Sequence, residues 1–179
     1  MIVDQLELKK IVQGKTKSVE IENLIRKWWK EDRFVGMVET SDIPNKEKYQ
    51  KIPWVKVDCM HTKLIGRTAD EVGFGLDLFA PKTDEKSVMH LHPYGDRIAM
   101  VMEGEGTFFA LKDGELIQKQ LKVGDMVLFP RNVPHAFWGS ETESLLLHVV
   151  LNPFVEFEHP EHTLKSPEGE QALRIHGLL

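Results

Sequence analysis

The chain has 179 residues, a length that favours one packed core with appendages over two full domains. Its 23 basic and 28 acidic residues leave a net charge of -5, so it offers no basic face to nucleic acid or to an anionic membrane. The single cysteine, Cys59, excludes an internal disulfide framework and suits a reducing, cytoplasmic setting, and it reads as a small half-buried apolar residue.

The amino-terminal residues mix acids with apolar side chains and hold no run of signal-peptide length, and no stretch approaches the roughly 20 apolar residues of a membrane span. Residues 18 to 31 place Ile21, Leu24, Ile25, Trp28 and Trp29 at helical spacing with charges between them. That pattern predicts an amphipathic helix packed as a lid on its own domain. Its tryptophan pair offers apolar area beyond a lid's needs, which together with exposed sheet edges leads to the expectation of a homodimer. A charged stretch with Pro44 and Pro53 reads as a surface linker, so residues 1–53 form a helical extension and a linker.

From Trp54 the texture changes to short runs of Val, Leu, Phe and Ile punctuated by Gly, Asp-Gly and Pro, which marks an all-β domain over 54–153. The expected strands are 55–58, 62–66, 73–80, 86–92, 97–102, 106–112, 115–121, 126–129, 135–138 and 144–151. Asp113-Gly114 predicts a tight hairpin. Residues 154–179 read as a polar tail that ends in a short helix, Glu168 to Ile175.

His90 and His92 lie one residue apart on a strand, so both side chains point to the same face and can converge on one ion. His135, after Pro130-Arg131-Asn132-Val133-Pro134, brings a third imidazole at the start of another strand. These segments resemble the two motifs of the cupin superfamily. The first motif runs Gly, five residues, His-x-His, three or four residues, Glu, six residues, Gly; the second runs Gly, five residues, Pro-x-Gly, two residues, His, three residues, Asn. His90, His92 and Gly104 fill the first, Gly124, Pro130 and His135 fill the second, and 19 residues separate Gly104 from Gly124. The resemblance covers about Asp84 to Gly139 and implies a double-stranded β-helix, the jelly-roll barrel of cupins, with one divalent metal on His90, His92 and His135.

Asp84, Gly139 and Asn132 depart mildly from the motifs, and Asn132 can still adopt the positive φ of a tight turn. Arg97 departs more seriously, because it stands where the family has its glutamate ligand and cannot bind a cation. Either Asp96 supplies an oxygen ligand, or the metal rests on three imidazoles with open positions. Strand parity favours the second, with Arg97 facing inward and Asp96 in the turn as an exposed acid or an Arg97 partner. An inward Arg97 suits a substrate carboxylate or phosphate, though a salt bridge in the barrel mouth fits equally. His148 is a candidate fourth ligand, outer-sphere group or general base, and His61 is a weaker one. His159, His162 and His176 read as solvated, while Tyr94, Met100 and Phe137 could line a pocket.

Three imidazoles suit a first-row divalent metal, with iron(II) favoured and zinc, nickel or manganese as alternatives. The expected function is a non-haem iron dioxygenase-type oxidoreductase acting on a small anionic organic substrate. A non-catalytic binding or sensor module, and a metal-dependent isomerase or lyase with His148 as base, stand beside it.

Overall fold

In the computed structural model, residues 3–43, 46–57 and 60–179 are described, so Cys59 and Pro44 lie outside the described residues. Two antiparallel sheets face each other across one core. The first holds seven strands in the order β1 (Val35–Met37), β9 (Asp125–Phe129), β6 (Asp96–Glu103), β11 (Leu145–Asn152), β4 (Gly73–Phe79), β3 (Met60–Arg67) and β2 (Val55–Val57). The second holds five: β12 (Leu164–Lys165), β5 (His90–Leu91), β10 (His135–Gly139), β7 (Gly106–Lys112) and β8 (Glu115–Leu121).

Register decides which side chains meet inside. Residues opposite one another on antiparallel strands share a face. Ala99, Val101, Phe129, Leu147, Val149 and Leu151 from the first sheet meet Phe108, Ala110 and Phe137 from the second. The alternate residues of β6 and β11, including Ile98, Met100 and Val150, point the other way. They are still buried, because α1 (Gln5–Val12) and α2 (Ser18–Lys30) lie over that outer face. Ile21, Ile25 and Trp28 are fully or almost fully buried there, at roughly 1.5–3 kcal/mol each relative to exposure. Helices of 8 and 13 residues would be marginal in water, so this packing is what holds them.

The expected helix over 18–31 forms, and it acts as a lid. Trp28 is buried and Trp29, half-buried, packs on both apolar clusters, so the tryptophan pair is engaged mainly by the chain's own core. The stretch read as a linker contributes β1, which pairs Val35 with Val127 at the sheet edge, and α1 precedes it, capped by the Asp4 carboxylate. The strand expected over 86–92 shrinks to two residues. Around it the polar groups bond locally: Ser87 Oγ donates to the Phe137 carbonyl and Trp138 Nε1 donates to the Ser87 carbonyl. The turns behave as expected: Asp113 and Gly114 have φ of 52° and 81°, and Asn132 has φ of 66°. The tail folds back on the barrel, with β12 pairing on β5 before α3 (Pro167–Ile175).

Candidate metal centre

His90 stands directly opposite His135 across the β5–β10 pair, and His92 follows two residues after His90 on the same side. Their ring centroids lie 4.4 Å (His90–His135), 5.0 Å (His92–His135) and 5.2 Å (His90–His92) apart. All three are buried, and they offer ligand atoms within 4.8 Å of one another.

Each Nδ1 meets a backbone carbonyl: His90 that of Val88 at 2.8 Å, His92 that of His162 at 2.9 Å, His135 that of Val133 at 2.9 Å. A carbonyl can only accept, so each Nδ1 carries the proton and each Nε2 keeps its lone pair. Burial, the Arg97 cation and the neighbouring imidazoles push His92 well below the usual imidazole range. Burial first, and His90 next, do the same to His135. Close ring nitrogens on three buried imidazoles, with each Nδ1–H held by a carbonyl and with protonation disfavoured at His92 and His135, are what a borderline divalent cation requires, so the donor set fits such an ion.

Arg97 faces inward, as parity predicted. It lies opposite Phe129 and Leu151, both in the interior cluster, and it is 6% exposed. Its Nη1 donates to the Asp96 carbonyl at 3.1 Å, the hydrogen bond described for the guanidinium, which leaves most of its fork for a ligand. The fork lies over Gly95, where an added Cβ would come within 2.4 Å of Nη1. Burial lowers the guanidinium to about 10, against the opposing pull of Asp77 and Asp96, so it stays charged at neutral pH.

Asp96 corrects the ligand alternative. It is fully buried on the outer face, where its carboxylate accepts from the Arg131 backbone N–H at 3.0 Å, from Arg131 Nε and Nη2, and from Asn152 Nδ2. Every good acceptor direction is spent on that network, so Asp96 is neither an exposed turn acid nor available to the imidazoles. His148 is corrected in the same way. It pairs with Met100 and Leu76 on the outer face of β11, under the N-terminal helices, on the opposite side of the sheet from the three imidazoles. Met100 shares that outer face, and Tyr94 is 45% exposed and donates to Glu161, so of the three pocket candidates Phe137 faces inward.

His148 nonetheless predicts acid sensitivity. It is fully buried, neither ring nitrogen has a partner among the described residues, and burial lowers it to about 4. The unfolded ring binds its proton near pH 6.5 and the folded ring only near 4, so stability is lost as pH falls through that window. The loss from this group reaches on the order of 2 kcal/mol by pH 5. His148→Leu should match the parent at pH 7.5 and exceed it at pH 5; equal pH dependence in urea melts of the two chains would refute this.

Two site residues escaped the sequence reading. His162, expected in solvent, is 5% exposed; its carbonyl orients His92, and its ring lies 5.4 Å from the His92 ring. Burial, Arg97 and His90 lower it to about 4. Asp77 lies opposite Leu147 and Thr62 and therefore faces the interior. Thr62 Oγ1 donates to its Oδ1 at 2.6 Å, and burial raises it to about 6 despite that bond and Arg97.

Residues 77–151 match the model of the cupin domain family. No curated protein matches the sequence. Among solved structures, the chain resembles the capsular polysaccharide assembling protein CapF from Staphylococcus aureus with TM-score 0.54 and 15% identity, over 71% of this chain and 35% of that one. It resembles an oxalate decarboxylase from Lactobacillus farciminis with TM-score 0.50 and 11% identity, over 65% and 34%. It resembles the DMSP lyase DddQ from Ruegeria pomeroyi DSS-3 with TM-score 0.51 and 19% identity, over 66% and 64%. The chain thus spans about a third of the first two. At these identities the likeness speaks to the fold, and the family match carries the rest: residues 77–151 form a cupin domain.

Proposed function

We propose that this protein is a metal-dependent oxidoreductase, a non-haem iron(II) dioxygenase-type enzyme acting on a small anionic organic molecule. The observation that carries this reading is the pairing of three buried, closely grouped imidazoles with a buried guanidinium whose fork is largely unspent. His90, His92 and His135 would hold the cation, with iron(II) favoured over zinc, nickel or manganese. When bound, such an ion supplies Lewis acidity and open positions for substrate and dioxygen.

The chain's own residues do the remaining work. Arg97 binds and orients the anionic end of the substrate with a planar fork that a lysine cannot reproduce. The carbonyls of Val88, Val133 and His162 hold the three Nδ1 protons in place. Phe129, Phe137 and Leu151 keep bulk water from the interior, which strengthens every charge interaction there. An isomerase or lyase that used His148 as its base loses support, because that ring lies on the other face of the sheet.

The proposed setting is the cytoplasm, with a small molecule as partner; no described helix is long and apolar enough to cross a membrane. The proposed homodimer rests on exposed Leu6, Met37 and Val123 around one surface groove, and a monomer by light scattering at micromolar concentration contradicts it.

To test the function, iron(II)-loaded protein is supplied with small hydroxy acids, diketones, thiols and phenolic acids while dioxygen is followed. Uptake coupled to loss of one of them is expected, and Arg97→Lys should weaken binding of that substrate roughly tenfold with metal content unchanged. Substrate loss without dioxygen uptake favours an isomerase or lyase, and saturable binding without turnover favours the binding module.

A further inference from the structure

The interior-facing positions of the barrel are almost entirely apolar around the three imidazoles and Arg97. Among the described residues of β3, β4, β6, β7, β9, β10 and β11, two carboxylates share that face by strand parity: Asp125, at the very start of β9 and bonded to the Lys122 N–H, and Asp77, in the middle of β4. Three features set Asp77 apart from a residue that merely completes a core. Thr62 spends its hydroxyl proton on Oδ1, and no second hydrogen bond to the carboxylate is described, so Oδ2 is left with both lone pairs. The residue is half-buried although its side chain faces inward. Its charge and that of Arg97 interact across the interior without forming an ion pair within 4.0 Å, so neither group is neutralised by direct contact with the other.

We infer that Asp77 is the base that receives the proton of a substrate hydroxyl, and that the substrate is a small 2-hydroxy acid whose carboxylate lies on Arg97. The inference rests on the function proposed above. In the step, the substrate O–H bond breaks, its electron pair stays on the substrate oxygen, and the proton forms a bond to Asp77 Oδ2. Asp77 passes from carboxylate to neutral acid, so charge is conserved between substrate and side chain. Thr62 is a positioning residue here, because it holds the plane of the carboxylate through Oδ1. The raised value of about 6 suits this work, since at neutral pH the group is ionised yet basic enough to keep a proton. The other charged or titratable groups on the interior face are Arg97, His162 and the three imidazoles, with Asp125 and Lys119 at strand ends and the sheet edge.

The test measures binding of glycolate and of acetate to the manganese(II)-loaded full chain by calorimetry between pH 5 and 8. Acetate reports on the contacts of the carboxylate, whereas glycolate adds the hydroxyl. The parent should bind glycolate at least tenfold more tightly than acetate, and this preference should fall as pH drops through about 6. Asp77→Asn, which retains the acceptor for Thr62 and removes a negative charge near Arg97, should bind acetate at least as tightly as the parent, reduce the preference to threefold or less and flatten its pH profile. Thr62→Val, which keeps the carboxylate and frees its plane, should give an intermediate preference. Arg97→Lys should weaken both anions. No preference in the parent, or a preference and pH profile that survive in Asp77→Asn, overturns the role of Asp77 while the Arg97 reading stands. If neither anion binds, or Arg97→Lys leaves acetate untouched, the functional reading falls and takes this inference with it.

Discussion

Replacing Asp96 with alanine should destabilise the fold by about 3 kcal/mol and lower the melting temperature by roughly 6–12 °C, while the metal stoichiometry stays unchanged. The magnitude follows from what the carboxylate holds. Asp96 is fully buried, its ion pair with Arg131 is 3.1 Å long, and Arg131 side chain exposure is 25%. Removing the acid strands a partly buried guanidinium, the Arg131 backbone N–H and the Asn152 amide at once. The loss also reaches α2, because Asn152 bonds both the hydroxyl and the carbonyl of Ser18 at the start of that helix. Glu22 of the same helix stands 3.4 Å from Arg131 and recovers part of the charge balance, which keeps the cost at the lower end for a buried pair. Thermal denaturation with parallel metal analysis checks the result. A variant that melts like the parent, or one that folds but loses the metal, would show that Asp96 has been misplaced.

The cluster of three imidazoles was legible because its signal is short-range. His90 and His92 share a face by strand parity whatever the rest of the chain does, and His135 follows a turn whose positive φ falls on Asn132, a residue that accepts it. Parity also turned Arg97 inward. It turned Asp96 outward as well, but outward did not mean exposed. The partner that buries Asp96 is Arg131, 35 residues away, and the layer that covers it comes from α2, whose helical pattern is local but whose docking place over Asp96 is not.

The same covering layer explains His148. In a sheet with one wet face, polar residues alternate with apolar ones and show which way each points. Residues 145–151 are apolar throughout apart from His148, because the barrel buries one face and the amino-terminal helices bury the other. The run therefore carries no sign of orientation. His162 was missed for another reason. Its neighbours Glu161 and Thr163 are polar, and its main service to the site is a backbone carbonyl, which has no signature in side-chain type. Asp77 sits alone between Leu76 and Leu78, where one acid reads as the polar side of an ordinary strand; its meaning emerges once Thr62 and Arg97 are known to face it.

The central claim is that one divalent cation rests on His90, His92 and His135. Its most direct test is titration of metal-free protein with cobalt(II), followed by the visible bands that imidazole coordination produces. The parent should take up one cobalt per chain, and each of His90→Ala, His92→Ala and His135→Ala should bind at least 100-fold more weakly while keeping the parent's far-ultraviolet circular dichroism, since removing one of three ligands dismantles the shared site without touching the strand ladders. A parent that shows no saturable cobalt binding, or a His135→Ala chain that binds cobalt as the parent does, would contradict it.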